Sequence, residues 1–327
     1  MWLPVGLFAG GVLIGAPVAF ALLLSGFGYM FWAGEYPSSV SSYLFTTLNS
    51  SSLLSIPFFI LAAEILNQSG ATRRLIDMID AWIGHNRGGL PVVAVIAVAF
   101  FSAICGSSAA TAAAIGSVMI PEMVGRGYDR RFTVGLIASA GGLGILIPPS
   151  IPLIVYGMVT EISISRLFQA AMLPGLVLAT VLCVVAYVVG SRSGVKPSER
   201  RPLGEKLVAT RRAAGVLAMP FIILGGIYSG IFTATESASI ACVYALGLAV
   251  LAYGVRLRDV PAMLTSSAAT AAMILLIIAC ANLFSYSLTA ERVPHDLFHW
   301  LMSLHMERWQ FLLGLMGFFI LAGMFLR

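Results

Sequence analysis

The chain has 327 residues, of which 59% are hydrophobic and only 10% are charged. A soluble globular domain has about 45–50% apolar and about 25% charged residues, so this composition excludes one, and it also excludes a disordered or disulfide-stapled chain. The apolar residues form continuous runs, which disfavours a transmembrane β-barrel. The net charge of +5 arises from short basic loops, which orient membrane proteins, and indicates no nucleic-acid surface. We therefore predict an all-α polytopic membrane protein with roughly eight to ten membrane segments.

The first uncharged run covers residues 1–34. A helix of that length would measure about 51 Å against a hydrocarbon core of about 30 Å, so the run is expected to tilt or to bend near residues 15–17. A second span is predicted at about 53–67, and it contains Glu64. An intramembrane carboxylate is a functional candidate, although snorkelling to the surface or a helix-pairing role is equally open.

Residues 68–87 interleave charged side chains with apolar ones, which predicts an amphipathic helix lying on the membrane surface. The next run, 88–121, has no charge, but a small polar patch from Ser102 to Thr111 divides it into two apolar halves of about 15 residues each. Such halves predict a re-entrant helical hairpin, because unwound backbone at membrane depth is tolerated only inside protein or beside water.

The hairpin tip is the first candidate site. One arm is expected to end near Cys105 with free carbonyls, and the other to begin near Ser108 with free N–H groups and a positive dipole end. Such a tip can hold an anion beside a sodium ion. The structural alternative is that Gly and Ser simply allow close helix packing.

The second candidate site lies in the charge-free run 132–160. Gly141 and Gly144 precede Pro148 and Pro149, and glycines and prolines within a span break the helical hydrogen-bond ladder. We predict a discontinuous helix whose free carbonyls face the hairpin tip, the alternative being a structural proline kink.

Further spans are predicted at 167–190 and at about 213–232, 236–255 and 262–288. Residues 191–212 form a polar linker with seven basic residues. Thr233 and Glu236 fit a capping box at the start of the following helix. Residues 289–308 resemble a second surface helix.

Charge sets the expected topology. With residues 191–212 placed in the cytoplasm, most of the 19 Lys and Arg residues fall on the inner side and the N-terminus is cytoplasmic.

The order of span, surface helix and hairpin arm at 53–104 recurs at 267–322 on the opposite side. Inverted repeats with broken helices are typical of secondary transporters. The predicted organisation is scaffold helices of a first repeat (1–67), surface helix (68–87), first-repeat transport elements (88–160), second-repeat scaffold with the basic cytoplasmic linker 191–212 (161–288), second surface helix (289–308) and a truncated first arm of a second hairpin (309–327).

The enzyme motifs that the sequence could contain are incomplete or absent. His295 and His299 have the spacing of zincin ligands, but Asp296 stands where a zincin needs Glu, and no GxSxG motif surrounds Ser107. We expect no enzyme activity and no transition-metal site.

Four segments resemble the large membrane subunit of tripartite ATP-independent periplasmic (TRAP) transporters, over essentially the whole chain. They are SIPFFILAAE at 55–64, CGSSA at 105–109, GGLGILIPPS at 141–150 and GGIYSGIFTATE at 225–236. The family has Ser more often than Cys at the position of Cys105.

The resemblance implies an inverted-repeat, elevator-type importer in the bacterial inner membrane, driven by sodium and without a resident cofactor. It also implies two partners: a small four-helix membrane subunit and a periplasmic binding protein that delivers a carboxylate such as a C4-dicarboxylate or an acidic sugar. We hypothesise that the following residues bind sodium: Ser102, Gly106, Ser107, Gly141 and Gly144. Those hypothesised to bind substrate are Ser107, Ser108, Thr111 and Ser150, with Pro148 and Pro149 shaping the broken helix.

Family members usually continue beyond residue 326 into a second hairpin and a second broken helix, so we expect this chain to be a fragment of a longer polypeptide. The remaining alternatives are an elevator-type sodium/anion symporter that needs no binding protein, a non-transporting scaffold subunit and, more weakly, an ion channel.

Overall fold

The computed structural model describes residues 3–34, 36–304 and 306–325, and within them the regular structure is entirely helical. This confirms the all-α prediction. The α-helices are α1 (Leu3–Leu13), α2 (Val18–Trp32), α3 (Pro37–Leu48), α4 (Ser55–Gln68), α5 (Ala71–Ile83), α6 (Gly89–Cys105), α7 (Ser108–Gly125), α8 (Arg130–Gly141), α9 (Leu143–Leu146), α10 (Ile151–Thr160), α11 (Ile164–Arg192), α12 (Leu203–Tyr228), α13 (Ala234–Gly247), α14 (Val260–Ala290), α15 (Val293–Ser303) and α16 (Arg308–Phe325).

Seven helical segments in the described residues are long and apolar enough to cross a membrane. They are Ser51–Gln68, Ser108–Gly125, Arg130–Thr160, Ile164–Arg192, Leu203–Tyr228, Ala234–Ala252 and Leu257–Ala290. The chain is thus a multi-pass membrane protein. Apolar side chains cover much of the outer surface of α11, as lipid contact requires.

The chain divides into two units, a mid-chain unit (Ser51–Ala271) and a terminal unit (Met1–Ser50 with Ala272–Arg327). In the terminal unit the helix breaks between Leu13 and Val18, where the sequence predicts a bend, but the break is a full reversal of the chain. Instead of one tilted or bent span, α1 and α2 lie antiparallel as a helical hairpin. A Cβ added at Gly11 would lie 3.0 Å from the Ala21 Cβ, and one at Gly28 would lie 2.8 Å from a Leu7 methyl carbon. The chain reverses because Gly15 adopts a φ of +83° and Pro17 immediately precedes α2.

The C-terminal part of α14 packs on α2 within the terminal unit. Leu283 is fully buried together with Tyr29, Met30 and Val40. Gly26 makes this approach possible, because a Cβ there would come within 2.7 Å of the Leu283 side chain. The predicted surface helix at 289–308 corresponds in position to α15, and the predicted apolar arm to α16; residues 326 and 327 of that arm lie outside the described residues.

In the mid-chain unit, α5 has the two-sided character that its sequence predicts. Leu75, Ile76 and Ile79 are buried, whereas Arg73 and Asp77 form an exposed ion pair at 3.6 Å. The buried side packs against α6 and α12. The apolar face that the hydrophobic periodicity creates thus packs this helix against the protein.

Helix α12 begins at Leu203, inside the segment predicted as a linker. Pro202 occupies its N-cap position, and the residues that follow are good helix formers. Tertiary contacts hold these first turns, since the Trp82 indole donates a hydrogen bond to the Thr210 hydroxyl at 3.0 Å and Lys206 is buried beside the same ring. At the start of α13, Thr233 and Glu236 form the predicted capping box.

The irregular segment between α11 and α12 is anchored on α5 and α7. Arg201 donates a hydrogen bond to the Asp80 carboxylate at 3.0 Å, and Arg126 on the C-cap of α7 donates to the Ser198 hydroxyl. The Asp80 side chain is only 5% exposed. Burial raises the pKa of Asp80 above its ordinary value, and the positive charges of Arg126 and Arg201 oppose that rise.

Candidate functional site

The predicted hairpin is formed by α6 and α7, which meet at a two-residue tip. Gly106 ends α6 with a φ of +65°, a conformation that favours glycine. Ser107 is the N-cap of α7, and its hydroxyl accepts a hydrogen bond from the Ala110 N–H at 3.5 Å. The order Gly-Ser-Ser therefore combines a left-handed helix end with an N-terminal cap, which explains why the two helices break here.

The predicted discontinuous helix is also present. Helix α8 ends at Gly141, the four residues of α9 follow, and α10 starts only at Ile151. Between them Ile147 and Ser150 have extended backbone conformations, and Pro148 and Pro149 are buried. The Ser150 hydroxyl donates to the carbonyl of Ile145 at 2.7 Å and so satisfies one carbonyl that the break leaves free.

The hairpin tip lies against this break. The Ile151 N–H, the first of α10, donates a hydrogen bond to the carbonyl of Gly106 at 3.1 Å. A Cβ on Gly106 would come within 2.8 Å of the Pro149 carbonyl oxygen. A Cβ on Gly144 would similarly lie 2.8 Å from the Ser107 carbonyl oxygen. The two candidate sites therefore adjoin, and their backbones approach so closely that only glycine fits between them.

Gly141 makes the third close approach of the site. A Cβ at this position would lie 2.9 Å from the Cβ of Ala112 and 3.4 Å from the Ser108 carbonyl oxygen. Sequence reasoning missed Ala112, although a small residue one turn after the tip is a signal of close packing. It also missed Ile151. This residue contacts the tip through its backbone N–H, which every residue except proline has, so the residue type gives no signal.

Two fully buried hydroxyls lie behind the tip, those of Ser102 and Thr111. The Ser102 hydroxyl has no hydrogen-bond partner among the described residues, and the Thr111 hydroxyl has no oxygen or nitrogen partner there, only the weak contact of the Cys105 thiol. An unpaired hydroxyl in an apolar interior costs about 1–3 kcal/mol. Ser107 and Ser108 are by contrast partly exposed, so they can meet a ligand that approaches the tip from outside.

Glu64 does not need a distant partner. Its carboxylate accepts a hydrogen bond from the Gln68 side chain one turn later on α4, at 2.5 Å. This contact lies within α4, so the functional, snorkelling and helix-pairing roles of Glu64 stay predictions.

The match to a known protein family covers nearly the full length of the chain. Residues 5–327 match the model described as "Tripartite ATP-independent periplasmic transporter, DctM component". The chain therefore belongs to the DctM family. This confirms the resemblance that the hairpin and broken-helix motifs predict, and it makes the chain a membrane component of a bacterial TRAP transporter.

Relatives of this DctM chain include two C4-dicarboxylate TRAP transporter large permease proteins. The one from Pseudomonas aeruginosa is 43% identical over 294 residues, which are 89% of this chain and 69% of the relative. The one from Rhodobacter capsulatus is 38% identical over 337 residues, covering 98% of this chain and 77% of the relative. The isethionate TRAP transporter permease protein DctMQ of Oleidesulfovibrio alaskensis is 34% identical over 328 residues, covering 98% and 51% respectively.

Proposed function

We propose that this DctM component is the permease subunit of a sodium-coupled, binding-protein-dependent importer of organic acids. Transport rather than catalysis is its proposed activity. The related permeases named for C4-dicarboxylates support a small dicarboxylate as the first substrate class to test. The relative named for isethionate supports testing a sulfonate beside it.

The observation that carries this proposal is the hairpin tip that packs against the broken helix, with two buried hydroxyls behind it that have no oxygen or nitrogen partner. Helix ends that meet at membrane depth supply carbonyl oxygens for a cation and N–H groups for an anion. We assign sodium to the surroundings of Ser102, Gly106, Ser107, Gly141 and Gly144. The substrate anion is assigned to Ser107, Ser108, Thr111 and Ser150.

An elevator is the proposed mechanism, in which the hairpin and the broken helix move together. The Gly106–Ile151 hydrogen bond and the close approach of Gly144 to Ser107 support joint movement, because both join the two elements through backbone. A small membrane subunit and a periplasmic binding protein are the proposed partners. The relative whose name joins DctM and Q supports the first, and the family name supports the second.

The proposed location is the inner membrane with a cytoplasmic N-terminus. The basic segment between α11 and α12 supports this orientation, since basic loops stay on the cytoplasmic side. Reporter fusions at residue 199 and at residue 232 test it. Cytoplasmic reporter activity at the first position and periplasmic activity at the second are expected, and the reverse pattern would overturn the orientation.

Uptake by proteoliposomes tests the function. The full gene product is reconstituted with the neighbouring small subunit and offered labelled C4-dicarboxylates and isethionate, with and without a sodium gradient and the binding protein. Uptake that requires both sodium and the binding protein is the expected result. Uptake with sodium alone would instead favour a conventional elevator-type symporter, and no uptake under any condition would favour a scaffold subunit.

Substitution of the buried hydroxyls tests the sodium site. Ser102→Ala and Thr111→Val remove these two buried hydroxyls while keeping most of the side-chain volume. We expect the sodium concentration for half-maximal uptake to rise at least tenfold, while thermal stability without sodium is unchanged or increased. Ser117→Ala on α7 is the control, because that hydroxyl already donates to the Ala114 carbonyl. Unchanged sodium dependence in both test variants would refute the assignment.

A further inference from the structure

A groove outside the proposed transport site gathers three arginines from two helices. It lies in the mid-chain unit between α5, the first turns of α12 and the residues that follow α13, and its volume is about 640 Å³. Among its described lining residues there is no acidic side chain. They are Arg74, Val208, Arg211, Arg212, Ala252 and Tyr253.

Arg74 is held rigidly in this groove. Its guanidinium donates a hydrogen bond to the Ser69 carbonyl at 3.0 Å and lies 3.8 Å above the Tyr253 ring. Stacking on an aromatic face leaves part of the planar fork available for another acceptor. Arg211 and Arg212 are exposed, and neither forms a hydrogen bond or an ion pair with another described residue. The groove therefore has uncompensated positive charge.

The neighbouring acidic residues lie on one side of this groove only. An adjoining cavity of about 760 Å³ shares Arg74 and Arg212, but not Arg211, and contains Asp77 and Glu205 as well. Asp77 is already paired with Arg73, whereas Glu205 forms no ion pair with another described residue and is available to Arg212. An anion is thus favoured at the end of the groove where Arg211 lies.

Apolar side chains border the arginines. Leu207 is 63% exposed and lies one turn before Arg211, on the same side of α12, and Leu251 beside Ala252 is 89% exposed. Leu207 lies near the start of the membrane-spanning segment Leu203–Tyr228, and Leu251 lies near the end of the segment Ala234–Ala252. A soluble anion would leave these side chains in water, whereas a molecule with an anionic head and acyl chains would cover them.

We propose that this groove binds the headgroup of an anionic phospholipid. Arg211 and Arg212 contact the phosphate, Arg74 supplies a fixed third positive charge, and acyl chains lie along Leu207 and Leu251. Guanidinium groups match phosphate oxygens in bidentate geometry. Basic pockets beside membrane helices on the cytoplasmic side are suited to such headgroups, which agrees with the proposed orientation.

Lipid-dependent stabilisation of the purified full chain tests the proposal. Its thermal unfolding midpoint is measured in detergent with phosphatidylglycerol or with phosphatidylcholine of the same acyl chains. We expect phosphatidylglycerol to stabilise selectively. In Arg211→Gln/Arg212→Gln the apparent lipid affinity is expected to fall about 25-fold, since each basic residue near a membrane surface contributes roughly a factor of five.

The matched control is Arg130→Gln/Arg131→Gln, which removes another adjacent, exposed arginine pair outside the groove. This control should keep the wild-type affinity for phosphatidylglycerol. Equal losses in the two double variants would show a general charge effect and overturn the proposal. Stabilisation by inorganic phosphate at the same concentration as the lipid would show a free-anion site and overturn it too, as would the absence of any lipid preference.

Discussion

Gly144 is the position at which one added methyl group most directly separates the broken helix from the hairpin tip. In Gly144→Ala the new Cβ would lie 2.8 Å from the Ser107 carbonyl oxygen and 2.9 Å from the Ser108 Cα. Both neighbours are backbone atoms, so no side-chain rotation relieves the contact. Ordinary van der Waals contact begins at 3.4 Å, so the two elements must separate by about 0.6 Å.

That displacement is large for a binding site. Binding groups need positioning within about 0.5 Å, and overpacking a well-packed site typically costs about 1–3 kcal/mol. If the cost falls on the ligand-bound geometry, sodium affinity drops roughly fivefold to 150-fold. We therefore expect Gly144→Ala to raise the sodium concentration for half-maximal uptake by at least about fivefold.

Sodium-dependent uptake in proteoliposomes is the assay, with Gly135→Ala as the matched control. Gly135 lies in α8 of the same discontinuous helix, but a Cβ there has nothing within 4 Å. Both substitutions raise helix propensity by a similar amount, so their difference isolates the contact with the tip. Wild-type sodium dependence in Gly144→Ala, with Gly135→Ala also normal, would refute the idea that contact between tip and break shapes the ion site.

Three further predictions concern packing, charge and capping. Gly141→Ala should impair uptake, and the double variant with Ala112→Gly should recover most of it, because the added Cβ is 2.9 Å from that of Ala112. Arg201→Gln should lower the unfolding free energy by about 1–3 kcal/mol by leaving a buried carboxylate without its ion pair. In this variant the pKa of Asp80, which burial already raises, rises further, so the folded state binds a proton more tightly than the unfolded chain. The loss of stability relative to wild type is therefore largest above the folded-state pKa and shrinks as the pH falls through it. Thr233→Ala removes the cap of α13 and should cost about 1 kcal/mol, measured by thermal unfolding.

Each of these has a result that contradicts it. No recovery in the Gly141/Ala112 double variant would mean that the approach of the two Cβ atoms is not limiting. A pH-independent deficit in Arg201→Gln, or one that persists unchanged when Asp80→Asn is added, would argue against an unpaired carboxylate as its cause. A Thr233→Ala protein as stable as wild type would show that the capping box is redundant with tertiary contacts.

The features that sequence predicts well are those that local chemistry decides. Gly106 and Ser107 stand at the tip because a helix end and a helix start each need a specific residue type there. Pro148 and Pro149 interrupt their helix because prolines within a span cannot complete its hydrogen-bond ladder. Such signals act within a few residues, so composition and spacing suffice.

What sequence could not predict depends on contacts between distant segments. Residues 1–34 carry no charge, and only contacts between their two halves, of Gly11 with Ala21 and of Gly28 with Leu7, distinguish a hairpin from one bent span. The start of α12 is decided partly by Trp82, more than a hundred residues away, through its hydrogen bond to Thr210. The predicted assignment of scaffold and transport segments to two inverted repeats stays a prediction.

The positions of Ser102 and Thr111 relative to the tip bear on where an ion would lie. Ser102 lies about one helical turn before the end of α6, and Thr111 lies about one turn after the start of α7. Because the arms are antiparallel, both hydroxyls are at a similar depth behind the tip, one from each helix. Alanine or valine would avoid the cost of an unpaired buried hydroxyl at either position. A cation coordinated by the hydroxyl oxygens of both arms would remove that cost, and its departure would restore it. The same two residues would then couple ion occupancy to how firmly the tip is held in the broken helix.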